Sequence, residues 1–331
     1  MNPDPGALPP RDPEQEAALA ANPDDKAAYQ AYGRWLTERG DPHGPLISFA
    51  FKHEKGSTLE AEYAAATRRV DPCDFFQPVW RRGFVDRAAC LSEYEAMDPE
   101  SFRHYPSSEE VTAFLESREA CVLRDLVLVD TQSKSPCQIL LAMPRPPPLR
   151  RLVITTHDDP ASMTALWARL PQLRALHVTC LTLGDLVLPE LESLTLRASV
   201  TELGALSNAR VPKLQELFVQ FGLPEDAGPD ALAATLPTCP GLRKFRWRHE
   251  GDAGQFLTAL LHSALLPKVT TLDLSMARFP EGGQEVLRVV EGGRLDHLRS
   301  LDVGPVATSK TFPDETVRRL RDRLKERLKA W

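Results

Sequence analysis

The stretch LRALHVTC (173–180) carries leucine or valine at its first, fourth and sixth positions. The same spacing returns in LESLTLRAS (191–199) and in LQELFVQF (214–221). In an extended strand the fourth and sixth side chains point to one face, and the third, fifth and seventh point to the other. The spacing therefore predicts several short strands that bury one face and leave the residues between free to vary.

This pattern extends well beyond the three stretches and repeats along most of the chain. Its intervals run from 18 to 29 residues, which is the period of leucine-rich repeats. A single strand cannot cover its own apolar side, so neighbouring units must stack. Segments 161–170, 230–236 and 284–290 predict helices between strands. The first apolar positions are Leu123, Leu149, Leu173, Leu191, Leu214, Leu242, Val269 and Leu298.

The fold class predicted from this pattern is α/β: a leucine-rich-repeat solenoid with a curved parallel sheet, behind a small N-terminal α-helical domain. Helix starts with an N-cap and an early proline mark the front of the chain. We divide the chain into a disordered tail (1–11), a helical domain (12–78), a capping strand with its connector (79–122), the repeats (123–313) and a capping helix (314–331). In the capping strand, residues 83–91 are expected to pair with the strand at 123.

The helical domain also resembles a known family. The stretch NPDDKAAYQAYGRWLTERGDPHGPLISF (22–49) is similar to the repeat-companion domain that precedes leucine-rich repeats in bacterial proteins. The later WRRGFV (80–85) is similar to the strand that leads into those repeats. The resemblance implies a bacterial protein and an architecture, but it implies no reaction. The matching residues are Asp24, Asp25, Tyr32, Trp35, Leu36 and the run Glu38, Arg39, Gly40, Asp41, Pro42, His43, Gly44.

The sequence contains no motif that would indicate catalysis. It has no phosphate-binding glycine loop, no G-x-S-x-G and no H-E-x-x-H. The one tight group of possible metal ligands, His157-Asp158-Asp159, is followed by proline and fits a helix start better. We therefore expect no enzyme activity, no cofactor and no metal. The alternative of another class is a thiol-dependent hydrolase or ligase that uses a cysteine and a histidine.

Bulk properties restrict the partners and the compartment. The net charge of −6 gives no general attraction to nucleic acid, and no apolar run reaches the roughly 18 residues of a membrane helix. No secretion signal is visible at the start, and the six cysteines form no C-x-x-C pair. We expect a cytoplasmic protein with reduced thiols, without a membrane span, and monomeric unless bound to a partner.

The inner face of the predicted sheet carries the candidate binding site. Arginines around an exposed aromatic side chain are typical of interface hot spots. The alternative is an ordinary solvated sheet face. The preferred function is non-enzymatic recognition of a protein or peptide, and the alternative within that class is an accessory subunit that presents substrate to a separately encoded enzyme. The candidate residues are His177, Arg197, Phe218, Gln220, Lys244, Arg246 and Arg248.

Two other segments allow two interpretations each. Trp35, Arg39 and Asp41 could form a docking surface, or Trp35 could fill the helical core while the other two fix the turn. The amphipathic segment 315–331 predicts a helix with an apolar stripe and seven basic side chains. It could bind a membrane surface or a partner, but closing the last layer of the repeat core is the preferred interpretation.

Overall fold

The computed structural model is mixed α/β and has two compact units, residues 1–154 and 155–331. Most strands pair in parallel. The residues that it describes are 11–53, 76–90, 106–128, 131, 133–198, 206, 209–221, 239–248, 257, 260–261, 266–275, 283–304 and 313–330. The predicted tail before Arg11 and the helix predicted at 230–236 lie outside these residues.

The first unit combines helices with four strands. Strands β1 and β2 form an antiparallel hairpin, and β2, β3 and β4 pair in parallel. The predicted pairing of the capping strand with the strand after Leu123 is confirmed over Arg87–Ala89, which pair with Asp125–Val127. The elements are α1 (Pro13–Ala21), α2 (Lys26–Glu38), α3 (His43–His53), β1 (Phe76–Arg81), β2 (Phe84–Cys90), α4 (Ser108–Leu115), β3 (Asp125–Leu128), α5 (Pro136–Ala142) and β4 (Arg151–Thr156).

Capping residues and glycines near the front of the chain fix the helix ends. Asp12 and Asp25 cap α1 and α2 by accepting backbone N–H bonds with their side chains, as their positions predict. Gly40 has a φ of 70° directly after α2, a conformation that favours glycine. At Gly44, a β-carbon would lie 2.5 Å from the carbonyl oxygen of Gly33, so the close approach of α3 to α2 requires glycine there.

The second unit contains seven strands that pair in parallel in chain order. Residues 181–192 between β5 and β6 form no helix, as the short 18-residue interval predicts. The elements are α6 (Pro160–Arg169), β5 (Ala175–Cys180), β6 (Ser193–Ala198), β7 (Glu216–Phe221), β8 (Lys244–Arg248), β9 (Thr271–Asp273), α7 (Gln284–Glu291), β10 (Ser300–Gly304), α8 (Asp314–Leu324) and β11 (Leu328–Ala330).

The predicted burial pattern is confirmed in all eight repeats, because every side chain at positions 1, 4 and 6 is buried. The predicted strand starts are two residues early: β3 to β10 each begin at position 3. The residue at position 1 belongs to a turn instead. In seven repeats its N–H donates to the carbonyl three residues earlier, at 3.0 to 3.2 Å.

That turn has a sequence signal that the leucine pattern did not include. The residue three before position 1 is apolar and buried in seven repeats. In five of these repeats the next residue is proline, which is common at the second position of a β-turn. The five turns begin at Leu170, Leu188, Val211, Cys239 and Leu266.

The strands are also joined at one recurring backbone position. The carbonyl of position 2 in one repeat accepts the N–H groups of positions 2 and 3 of the next repeat. Arg174, for example, accepts from Glu192 at 2.7 Å and from Ser193 at 3.0 Å. Six carbonyls accept in this way, and they set the register before each strand begins.

The helix predicted for 315–331 is wrong in its last part. Helix α8 ends at Leu324, Lys325 adopts a φ of 51°, and Leu328–Ala330 form a strand parallel to β10. The apolar spacing of a helix continues through Leu328. Pairing with the open edge of β10 satisfies backbone groups that would otherwise lack partners, and it overrides that local preference.

The apolar stripe predicted for segment 315–331 is buried at the described side chains of α8, which are Val317, Leu320 and Leu324. Two of its arginines pair with acids outside the helix. Arg319 contacts Glu291 at 2.5 Å, and Arg323 contacts Asp296 at 2.8 Å. These ion pairs favour the interpretation of α8 as part of the folded unit over a basic membrane helix. Within the described ranges, no helix combines the length and apolar character needed to cross a bilayer.

Candidate functional site

The seven candidate residues lie on one face of four adjacent strands, β5 to β8. Register places Phe218 beside Arg246 and Gln220 between Arg197 and Arg248. His177 belongs to the same row of side chains as Phe218, because both pair with Thr195. Lys244 lies one row away, opposite Glu216. The strands therefore bring together all seven predicted residues on the face opposite the buried leucines.

Phe218 and Arg246 form the centre of this face. The Arg246 guanidinium carbon lies 5.3 Å from the centre of the Phe218 ring, which is within the range of a cation–π contact. Arg246 Nε also donates to Asp273 Oδ2 at 2.5 Å. Phe218 is half-buried on this face, so it is less open than the sequence suggested.

Asp273, the acid beside this pair, is ionised. Burial alone would raise the pKa of Asp273, but hydrogen bonds from Ser275 and the charge of Arg246 outweigh burial and lower the pKa below its ordinary value. Asp273 consequently keeps its negative charge at neutral pH and fixes the orientation of Arg246 over the ring.

The remaining charges of the face fall into two groups. Lys244 pairs with Glu216 at 2.5 Å. Arg197 and Arg248 have no carboxylate partner within the part of the chain that the structure describes. Arg197 is exposed and Arg248 is half-buried. One row of the face thus presents two positive charges that no described carboxylate neutralises.

The group His157, Asp158 and Asp159 has the structural role that its spacing favours. Asp159 caps α6 by accepting from the N–H groups of Ala161 and Ser162. Asp158 accepts a hydrogen bond from the Thr156 hydroxyl. Among the described residues, no group of three or more His, Cys, Asp or Glu side chains could hold a metal ion.

The described cysteines are thiols, and four of the five are buried. Burial raises the pKa of Cys239 to about 11 and raises that of Cys121 as well. A raised pKa keeps a thiol protonated, so it lowers the concentration of the nucleophilic thiolate. Cys73, the sixth cysteine, lies outside the described residues.

The alternative docking residues of the helical domain divide between core and surface. Trp35 packs partly against the buried cluster and stacks on Tyr32 at 5.8 Å. Arg39 is exposed and lies 3.9 Å over the Trp35 ring. Asp41 is only 2% exposed, which favours the interpretation that it fixes the turn over the alternative of a docking surface. Its carboxylate accepts the His43 N–H at 2.9 Å and fixes the turn between α2 and α3.

Asp41 belongs to a buried polar cluster that no local sequence pattern predicts. Arg118 Nη1 donates to Asp41 at 2.8 Å, and Arg118 Nη2 contacts Glu119 at 3.3 Å. His43 Nδ1 lies 3.6 Å from Glu119. Burial, followed by the charge of Arg118, lowers the pKa of His43 to about 3. His43 is therefore neutral at physiological pH, and the cluster joins the helices to the segment after α4.

A second acid of the helical domain also bridges distant segments. Asp24 pairs with Arg81 at 3.1 Å, Arg124 at 3.3 Å and Arg150 at 3.5 Å. Burial opposes its ionisation, but Arg124 and Arg81 outweigh burial and lower its pKa. The paired acids of the family-like stretch thus serve structural purposes here, with Asp25 capping a helix and Asp24 linking strands.

Comparisons with known proteins give no assignment. No family model matches the sequence, and no curated protein matches it. A solved structure from Bacteroides fragilis is 14% identical, with 67% of this chain and 60% of that chain covered and a TM-score of 0.45. The leucine-rich repeat-containing protein LegL7 from Legionella pneumophila is 13% identical, with 60% of this chain and 78% of that chain covered and a TM-score of 0.33. This chain thus spans about three fifths of the first protein.

Proposed function

We propose that this protein is a non-enzymatic recognition module, in which a leucine-rich-repeat solenoid binds a protein or peptide on the inner face of its strands. The helical region before it is a repeat-companion-like domain that covers the first strands. The cytoplasmic location and the bacterial origin expected from the sequence belong to the same proposal.

The observation that carries the proposal is the contrast between the two faces of β5 to β8. Positions 4 and 6 are buried and uniformly apolar, whereas positions 3, 5 and 7 hold arginine, glutamine, histidine and an aromatic ring. Packing of the core does not constrain the second set. An aromatic side chain beside arginines, at the centre of a polar face, has the composition of a binding hot spot.

The alternative from another class is a thiol-dependent hydrolase or ligase. It requires a thiol with a lowered pKa near a base. Cys239 and Cys121 have raised pKa values instead. This chemistry supports binding over catalysis at these two cysteines, and replacement of each exposed or half-buried cysteine by alanine should leave the biological activity intact.

The test begins with affinity capture from the cells that produce the protein, followed by purification of the retained partner. Binding of that partner is then measured with Phe218→Ala, which should weaken it by at least about 2 kcal/mol, or roughly 30-fold in Kd. Circular dichroism should show the same folded structure for the variant.

The matched control compares partner binding by the Arg39→Ala variant with partner binding by the Arg246→Ala variant. Both arginines lie over an aromatic ring, but Arg39 belongs to the helical domain. Loss of affinity with Arg39→Ala and none with Phe218→Ala/Arg246→Ala would move the binding site to the helical domain and end the proposal. A partner enzyme whose rate changes on binding would favour the accessory-subunit alternative.

A further inference from the structure

The geometry points to an acidic peptide segment as the occupant of the inner face, with its carboxylates bound by Arg197 and Arg248 on either side of Gln220. This inference rests on the proposed function, since it identifies the chemistry of the partner at the same face. It adds a specific pair of anion-binding residues that the pattern of candidate residues did not single out.

The first step is the register of the row. Thr179, Arg197, Gln220 and Arg248 are successive partners across β5, β6, β7 and β8. Adjacent strands lie about 4.8 Å apart, so the α-carbons of Arg197 and Arg248 are roughly 9 to 10 Å apart. Two long side chains at this separation can contact one carboxylate from both sides or two carboxylates of a short segment. Gln220 between them adds an amide that donates hydrogen bonds.

The second step is the charge of the row compared with its neighbours. Arg246 and Lys244 are each paired with an acid, whereas Arg197 and Arg248 have no carboxylate partner among the described side chains. The buried leucines beneath this face bring no opposite charge. An arriving carboxylate would therefore meet guanidinium groups that no described carboxylate occupies, and arginine binds carboxylates with paired, directional hydrogen bonds.

The third step separates an acidic peptide from a nucleic acid. A nucleic acid presents closely spaced phosphates, so beyond this row they would meet Glu216 and Asp273 on the same face. Leu181, two residues beyond Thr179, is 59% exposed and can contact an apolar side chain of a peptide. These features fit a short segment with few, discrete negative charges.

The test uses a library of random peptides selected on the wild-type protein, with counter-selection on Arg197→Gln/Arg248→Gln. The enriched peptides should contain paired Asp or Glu residues. One of them, synthesised with a fluorescent label, should bind the double variant about tenfold or more weakly in anisotropy titrations, since two charge-assisted contacts are lost. The matched control, Arg34→Gln/Arg321→Gln, removes the same charge from two exposed helix positions and should bind like wild type.

Three results would overturn the inference. The first is equal loss of affinity in the control, which would mean that only overall charge matters. The second is enrichment of neutral or basic peptides, or no enrichment at all. The third is tighter binding of a short poly(dT) oligonucleotide than of the selected peptide, with the same dependence on Arg197 and Arg248. If a purified cellular partner still requires Phe218 in any of these cases, the proposed function stands and only its acidic occupant is wrong.

Discussion

Two arginine–aspartate pairs in this protein have nearly the same contact and opposite surroundings. In the first unit Arg118 contacts Asp41 at 2.8 Å, with side chains 2% and 0% exposed. In the second unit Arg246 contacts Asp273 at 2.5 Å, with side chains 56% and 13% exposed. Contact distance alone does not distinguish them, so their roles must follow from their access to water.

The buried pair cannot be separated without leaving a charge inside the protein, so it holds segments 77 residues apart in the sequence in one arrangement. Water and salt can replace the partner of the exposed arginine at little cost. A charged residue of the first kind stabilises the fold, and one of the second kind is available to a ligand. The experiments below test this distinction, in order of decreasing expected effect.

Arg118→Met should give the largest loss of stability. It leaves Asp41 buried without its ion pair, which costs about 3 to 5 kcal/mol in the free energy of unfolding. Urea denaturation of the variant and the wild type measures the difference. The double variant Arg118→Met/Asp41→Asn should recover part of the loss, because it removes the unpaired charge. A cost below about 1 kcal/mol for Arg118→Met would erase the contrast between the two pairs.

Leu194→Ala tests the same distinction between the two faces of one strand. Leu194 is 1% exposed, so the substitution creates a cavity and should cost about 3 kcal/mol. The control is Thr195→Ala on the opposite face of β6, with an expected cost of about 0.5 kcal/mol or less. Melting temperatures compared by calorimetry would reveal the difference. Similar values for both variants would contradict the assignment of the buried face.

Acidification should destabilise the buried cluster through His43. Its pKa is lowered to about 3 in the folded protein against 6.5 in a free side chain, so the unfolded chain binds a proton first as the pH falls. The contribution of neutral His43 to the free energy of unfolding is intact above pH 6.5. It is lost as the pH falls toward 3, at up to about 1.4 kcal/mol per pH unit. Between pH 6.5 and about 5 the loss amounts to roughly 2 kcal/mol.

His43→Gln should remove most of this slope, since glutamine does not titrate. Burial alone would raise the pKa of Asp41, but the hydrogen bonds from Arg118 and from the His43 N–H outweigh burial and lower it, so Asp41 titrates at more acidic pH and does not obscure the measurement. Arg118 stays charged throughout, and Glu119 is the other ionisable neighbour. The control, His157→Gln, replaces an exposed histidine and should keep the slope. An unchanged slope in His43→Gln would mean that another group controls the acid response.

Arg246→Met should have the smallest effect on stability. Arg246 is more than half exposed, so losing its pair with Asp273 should cost less than about 1 kcal/mol. Thermal unfolding measured beside Arg118→Met completes the comparison. A cost equal to that of Arg118→Met would show that the pair on the sheet face is a structural element, and it would remove Arg246 from the candidate binding residues.

Much of the repeat could be predicted because its information is local. Leu176 and Val178 are two residues apart, and a strand puts both on one face wherever it occurs. The start of each strand was predicted two residues early, because the turn from Leu170 to Leu173 was read as part of the strand. The signal for that turn, an apolar residue followed by proline, was present in the sequence.

The errors concern contacts between distant segments. A docking surface stays an open alternative for Asp41 at the level of sequence, because its buried partner, Arg118, lies 77 residues away and has no local sequence signal. The spacing of Leu328 from Leu320 and Leu324 predicts a helix, but Leu328 lies in strand β11, which pairs with the edge of β10. The alternation of side chains along a strand predicts that the candidate residues share one face, but the ion pair that distinguishes Arg246 from Arg197 depends on Asp273, in another strand.

The doubly accepting carbonyl at position 2 has a consequence for how such a chain can change over generations. At the six junctions where this carbonyl accepts, one repeat donates two N–H groups to the carbonyl of the repeat before it, through the same backbone atoms each time. A whole unit can therefore be duplicated or deleted while the neighbours on either side keep the bonds they already make. Insertion of a single residue between position 1 and position 3 would break that connection. The gene can gain or lose such modules as intact blocks, and their number is freer to vary than their internal spacing.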